Sequence, residues 1–209
     1  MLYHVFNRSI ANFIIFNNAA EFFRMINLIK YYRRKEAVNF SRYADLMKCK
    51  PEEIINTDEL ISKENDIVQI VCYCLMPTHF HLIIKELTTG GTSTFTMNIL
   101  NSYTRYFNIK HNRKGPLWES RSKKVLIETD EQLLHLTRYI HLNPVTSYLS
   151  DKPEDWVYSS YKEYVSNTGP GKKICDYRDY LLLKPDIYEK FIYEGISYQR
   201  ELAKSKKLG

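Results

Sequence analysis

The sequence predicts an α+β fold in which an antiparallel sheet carries helices packed on one face, with a C-terminal helical extension after it. Three observations carry that expectation. Short β-branched and apolar runs alternate with segments whose apolar residues recur every three or four positions. The two longest strand-like runs, Asp66 to Met76 and His79 to Leu87, are separated only by Pro77-Thr78, the spacing of a tight turn between antiparallel neighbours. The order strand, helix, insertion, two strands, helix, strand, helix belongs to layered domains of this class.

Taken in order, Tyr3 to Arg8 reads as a short strand, and Phe13 to Phe16 as an apolar patch flanking it. From Asn18 the period becomes helical: Phe22, Met25, Ile26, Ile29 and Tyr32 share a face, with Asn17 or Asn18 as the N-cap. Residues 36 to 66 are polar and weakly patterned, an insertion expected to carry one or two short helices. After the strand pair, Thr88 to Thr94, with Gly90 and Gly91, reads as a flexible loop. Phe95, Ile99, Tyr103, Tyr106 and Phe107 then mark a second amphipathic helix ending near His111. Val125 to Glu128 is a further strand, and Asp130 caps a third helix that Pro144 is expected to terminate. An aromatic stretch, Trp156 to Ser166, and a helix from Pro185 to Ala203 complete the chain. The division expected is a domain over 1–165 with its insertion at 36–66, and an extension over 166–209.

The 209 residues suffice for one substantial core. Thirty basic residues against twenty-four acidic give a formal charge of +6, which directs attention to a polyanionic partner. No run approaches the roughly 18 to 20 apolar residues of a membrane helix, and the N-terminus lacks a basic-then-apolar leader, so the expected location is cytoplasmic with no membrane partner. Cys49, Cys72, Cys74 and Cys175 form no CxxC pair and read as buried reduced thiols.

Within Cys72 to Glu86, the run CYCLMPTHFHLIIKE, two of the chain's six histidines stand two apart. In a strand, positions i and i+2 share a face about 6.6 Å apart. His79 and His81 therefore present imidazoles side by side while Phe80 points to the other layer. Such a pair can take adjacent positions on one divalent metal, or be two satisfied polar residues on a half-buried sheet. In Tyr139-Ile140-His141-Leu142-Asn143-Pro144, Tyr139 and Asn143 lie one turn apart on one helix face. An amide oxygen can complete a His-His-Asn site, and a phenol beside that metal is a candidate nucleophile; equally, any one of seventeen tyrosines can be a packing aromatic. His141 faces away from Tyr139, and His4, His111 and His135 show no partner in the sequence.

At these residues the chain resembles a known family. YCLMPTHFHLIIKE is similar to the histidine, bulky apolar, histidine (HUH) motif of the IS200-like transposases, and RYIHLNPV to the helix bearing their single catalytic tyrosine. The resemblance is nearest to the REP-associated tyrosine transposases, through Tyr3 to Arg8 (YHVFNR), Gly115 to Arg121 (GPLWESR) and Trp156 to Tyr164 (WVYSSYKEY). It covers most of residues 1 to 165. It implies a ferredoxin/RRM-like HUH nuclease core, His79, His81 and Asn143 as metal ligands, Tyr139 as nucleophile, and Mg²⁺ or Mn²⁺ as the ion. Thr78 departs from the commoner asparagine or glutamate and, lying in a turn, is expected to alter no ligand. The implied reaction is single-stranded DNA cleavage and strand transfer through a 5′-phosphotyrosine, for transposition or repeat-element processing.

A DNA-binding surface is expected from Arg105, Lys110, Arg113, Lys114, Arg121, Lys123 and Lys124 with Trp118 among them, a mix suited to phosphate contacts and base stacking. Solvated charges around a core tryptophan are the alternative. The expected partner is single-stranded or hairpin DNA, bound by a monomer or homodimer. Two rival functions stay open: a transposase-derived hairpin-binding protein that no longer cuts, and an HxH hydrolase in which water attacks.

Overall fold

The computed structural model describes residues 1–35, 65–166 and 174–205. Four strands, β1 (Leu2–Arg8), β2 (Val68–Met76), β3 (His79–Glu86) and β4 (Lys123–Ile127), form one antiparallel sheet in the order β2-β3-β1-β4. With α1 (Ala19–Tyr32) after β1 and α2 (Gly91–Lys110) after β3, the chain runs βαββαβ, and that strand order makes it a ferredoxin-like sandwich. The α+β expectation is met.

Strand alternation divides the sheet into two faces. On one, Val5, Leu75, Phe80, Leu82 and Ile84 are buried beneath α1 and α2; Trp118, on the segment after α2, touches both Phe80 of β3 and Tyr103 of α2, and Phe16, just before α1, meets the same Tyr103 ring. On the other, His4, Phe6 and Arg8 of β1 align with Ile83, His81 and His79 of β3, and Cys74 and Met76 of β2 align with His81 and His79. This second face is covered by α3 (Asp130–Thr146), through contacts of Tyr139 with His81 and His141 with Cys72. Helices on one face only is therefore corrected to helices on both. The sequence showed that α3 has an apolar side, but not which layer it joins.

α1 starts where its cap predicts. Asn18 accepts from the Glu21 amide at 3.3 Å, and Glu21 reaches back to the Asn17 amide at 2.7 Å. The same buried carboxylate receives Lys110 at 2.8 Å and His111 at 2.7 Å, fastening the start of α1 to the end of α2. α2 begins at Gly91, inside the segment expected to be a loop. Gly90 adopts φ +75° at its N-cap, and a Cβ on Gly91 would lie 2.4 Å from the Ile67 carbonyl oxygen. These glycines serve a left-handed cap and a close approach, so they mark a helix start instead of a flexible link.

α3 also differs from expectation at both ends. Thr129, not Asp130, is the N-cap, accepting from the Gln132 amide at 3.1 Å. Pro144 lies within the helix, which continues to Thr146; Ser147 N–H still reaches the Asn143 carbonyl at 3.0 Å and Thr146 Oγ1 the Leu142 carbonyl at 3.0 Å. Proline removes one donor, and the following turn closes without it. The expected single C-terminal helix is two, α5 (Pro185–Glu194) and α6 (Ile196–Ser205), after a short α4 (Tyr161–Val165). They part at Gly195, where any Cβ would meet the Arg138 side chain at 2.6 Å.

The extension shares the core of the domain. Tyr188 and Ile192 of α5 are buried in the same cluster as the sheet, and Tyr188 Oη lies 2.7 Å from His141 Nδ1. The opposite nitrogen of that imidazole is 2.8 Å from Ser160 Oγ, so α3, α5 and the aromatic stretch meet on one side chain. Burial drives the His141 pKa down to about 3, which keeps it neutral there. At the insertion, Lys35 N–H donates to Asn65 and Ile67 N–H to Arg33, and Arg33 pairs with Asp66 at 3.3 Å; the chain leaves and returns at one point. The helices expected within 36–66 lie outside the described residues, as does Cys49. Cys72, Cys74 and Cys175 are buried free thiols.

Candidate active site

The site forms because β3 places His79 and His81 on the α3 face and β1 supplies the adjoining row. Phe6, Arg8, His79, His81, Lys123 and Tyr139 line a cleft of about 250 Å³, together with Asn7, Phe80, Glu119 and Ser120. His79 and His81 stand with ring centroids 5.2 Å apart and planes at 89°. Tyr139, 40 % exposed at the mouth, lies edge-on to His81 at 5.6 Å. Two of the sequence-predicted metal ligands and the predicted nucleophile therefore share one cavity.

Asn143, the third predicted ligand, does not line that cleft. It is buried one turn below Tyr139, and its Nδ2 donates to the Tyr139 carbonyl at 3.1 Å. Oδ1 is the atom a cation would take.

Each imidazole of the pair has one nitrogen engaged. His79 Nδ1 lies 3.0 Å from Thr78 Oγ1, and His81 Nδ1 lies 3.0 Å from His4 Nε2. Thr78, expected to be indifferent to the ligands, thus touches one of them. Burial first, and the Arg8 charge second, bring the His79 pKa down to about 4; burial, with His79, His4 and Arg8 adding to it, holds His81 well below the ordinary histidine value. Both rings are neutral, the form that binds metal. Among the described residues no group of three or more His, Cys, Asp or Glu could hold an ion. The cleft thus offers two neutral imidazole nitrogens to a divalent ion, and any third protein donor would have to be of another type, such as the Asn143 amide one helix turn from Tyr139.

Sequence reasoning missed His4 and Arg8. Both lie at alternate positions of β1, and register against β3 brings them beside the histidine pair; the pairing of β1 with β3 is the information that was lacking. The other two histidines without a partner in the sequence have one in the fold: His111 pairs with Glu21, and His135 Nδ1 lies 3.0 Å from Arg138 Nη2; His141, which faces away from Tyr139, is engaged through both ring nitrogens.

The expected DNA-binding set is scattered. Lys123 lines the cleft, and Arg121 lines a neighbouring one that shares Ser120 with it. Arg105 and Lys110 belong to α2, on the far layer, and Lys110 is committed to Glu21. Lys124 turns to the opposite face of β4, pairing with Glu86 at 3.1 Å over the Tyr3 ring. Arg113 folds back onto Asn108 and the Pro116 carbonyl, while Lys114 is exposed on the connecting segment. Trp118 is only 8 % exposed, edge-on to Phe80, with its N–H donated to Thr104 at 3.1 Å. In this position the ring is mainly a core aromatic, and its small exposed part lines the same neighbouring cleft as Arg121.

A ferredoxin-like sheet with an imidazole-lined cleft and a helix-borne tyrosine at its mouth is the class of protein that fold and site define. No family model matches the chain. Over 103 residues it is 26 % identical to a protein of Haemophilus influenzae described as a REP-associated tyrosine transposase; the matched stretch covers 44 % of this chain and 58 % of that one. The relative is of the same kind as the family whose motifs the chain resembles. Among solved structures, a REP-associated tyrosine transposase bound to a REP hairpin aligns over 84 % of this chain and 86 % of its own at 16 % identity, with a TM-score of 0.44. A protein from Deinococcus radiodurans R1 described as a transposase aligns over 67 % and 88 % at 14 % identity, with a TM-score of 0.29. Among the described residues no helix is long and apolar enough to cross a membrane.

Proposed function

We propose that this protein is a metal-dependent single-stranded DNA endonuclease and strand transferase acting through a 5′-phosphotyrosine, in DNA transposition or repeat-element processing. The observation that carries the reading is the placement of Tyr139 edge-on to His81 at 5.6 Å at the mouth of the cleft lined by both histidines. The partial likeness to a REP-associated tyrosine transposase is in keeping with it.

In the proposed reaction Tyr139 Oη attacks a backbone phosphorus. The new bond joins phosphorus to the tyrosyl oxygen, and the bond that breaks joins it to the 3′-oxygen, which leaves as a 3′-hydroxyl after taking up a proton. The phenol loses its own proton, so the exchange balances and the phosphodiester bond energy is retained for rejoining. His79 and His81, with the Asn143 amide, would hold Mg²⁺ or Mn²⁺; the chemistry such an ion supplies is Lewis-acid polarisation of a phosphoryl oxygen. Arg8 and Lys123 stand on the cleft walls where they would hold the flanking phosphates. The substrate expected is single-stranded or hairpin DNA.

Covalent trapping tests this. Tyr139→Phe should bind single-stranded DNA with nearly unchanged affinity and form no denaturation-resistant adduct, because removing one oxygen from an exposed ring alters chemistry and not packing. The double substitution His79→Ala/His81→Ala should also abolish the adduct. An adduct persisting in Tyr139→Phe would move the nucleophile elsewhere. Turnover without any adduct would favour attack by water.

A further inference from the structure

We propose that His4 is a positioning residue that fixes the proton of His81 on Nδ1 and so presents its Nε2 lone pair to the divalent ion. The inference rests on the metal reading above and extends it to a residue of the first strand.

His4 lies diagonally across from His81: β1 pairs His4 with Ile83 and Phe6 with His81, and the side chains of all four share the α3 face. His4 Nε2 is 3.0 Å from His81 Nδ1. The ring planes differ by 20° and the centroids are 5.2 Å apart, close to the N···N distance plus the two ring radii. The rings therefore meet edge to edge in nearly one plane, the geometry of a directional N–H···N bond and not of face-to-face stacking. Phe6 at 4.8 Å from the His4 ring and 5.9 Å from the His81 ring limits how far either can turn.

Two neutral imidazoles sharing one such bond have one donor between them. If His81 donates from Nδ1, its Nε2 is bare and can ligate. If His4 donates instead, His81 carries its proton on Nε2 and cannot. Ligating histidines elsewhere are oriented by a carboxylate or carbonyl that accepts the other ring proton, and His4 Nε2 takes that accepting place here. His79 has its own second partner in Thr78 Oγ1, so both members of the pair are held from the nitrogen that would face away from the ion.

The test compares two replacements in the full chain. His4→Gln keeps an acceptor oxygen within reach of His81 Nδ1, whereas His4→Phe keeps the ring and loses the acceptor. Mn²⁺ alone is titrated and followed by electron paramagnetic resonance, with His81→Ala as reference. We expect His4→Phe to weaken Mn²⁺ binding about 10- to 100-fold and His4→Gln to stay within about threefold of the parent. Loss in His81→Ala without loss in His4→Phe overturns the role of His4 while leaving the metal reading intact; no loss in either overturns both. Equal loss in the Gln and Phe variants also overturns it, because packing and not the acceptor would then be responsible. Independently of metal and of any variant's folding, a long-range ¹H–¹⁵N spectrum of the parent protein should show His81 as the Nδ1–H tautomer. An Nε2–H tautomer would sink the proposal.

Discussion

Trp118 illustrates how a residue's neighbours in sequence can mislead about its neighbours in space. It stands among Arg113, Lys114, Arg121, Lys123 and Lys124, the company of a nucleic-acid contact, yet its indole fills the layer between Phe80 and Tyr103 and spends its one donor on Thr104. Its removal should accordingly be felt in stability before binding. Trp118→Ala is expected to lower the unfolding free energy by about 3–5 kcal/mol, the range for deleting a large buried aromatic. Urea titration measures this directly. Unchanged stability with weakened DNA binding would return the ring to the surface role. Tyr139 is the opposite case, an aromatic that the structure leaves 40 % exposed although sixteen other tyrosines compete for attention in the sequence. Its spacing from Asn143 distinguished it, and spacing on a helix survives folding, whereas proximity along a connecting segment does not.

At the level of elements, the legible parts were those set by local rules. The Asn18 cap, the apolar stripe of α1 and the Pro77-Thr78 turn each depend on residues within one or two turns, and each is found where expected. What could not be read depends on partners distant in the chain: the face α3 covers, the helix start hidden in Gly90-Gly91, the break at Gly195 beneath Arg138, and the β1 register that carries His4 and Arg8 to the site. The joint between α1 and α2 gives a pH signature. Burial alone would raise the Glu21 carboxyl, but hydrogen bonds from Lys110, from the backbone and side chain of Asn17, and from His111 outweigh it and bring the pKa down to about 2 from an ordinary 4.5. A depressed carboxyl binds fewer protons folded than unfolded, so its contribution is complete above about pH 4.5 and is lost as pH falls toward about 2. Stability of the parent protein should therefore drop more steeply across that interval than that of Glu21→Gln, measured by urea unfolding at a series of pH values. Parallel curves would mean that the joint contributes no pH dependence.

For the whole molecule, the charge of +6 matters less than where unpaired cations stand. Lys110 is neutralised by Glu21, Lys124 by Glu86, and Arg113 is folded onto its own segment, so three of the seven cations expected to meet DNA already have partners. Arg8 and Lys123 flank the histidines in the cleft on the α3 side of the sheet, and no ion pair holds either among the described residues. A strand threading the cleft toward Tyr139 would place successive phosphates against these two. Single-strand binding releases condensed counterions, and the logarithm of affinity falls with the logarithm of salt by about 0.7 for each phosphate neutralised. In a Tyr139→Phe background, which keeps binding reversible, Arg8→Gln/Lys123→Gln should therefore make that slope shallower by about 1.4. Lys110→Gln/Lys124→Gln should change it far less, because the charges removed there are already compensated by carboxylates on the other side of the sheet. Fluorescence anisotropy with a labelled single-stranded oligonucleotide over a salt series gives both slopes. If the second pair flattens the dependence as much as the first, the DNA path crosses the α1–α2 layer, and the cleft around Tyr139 is not where the backbone is gripped.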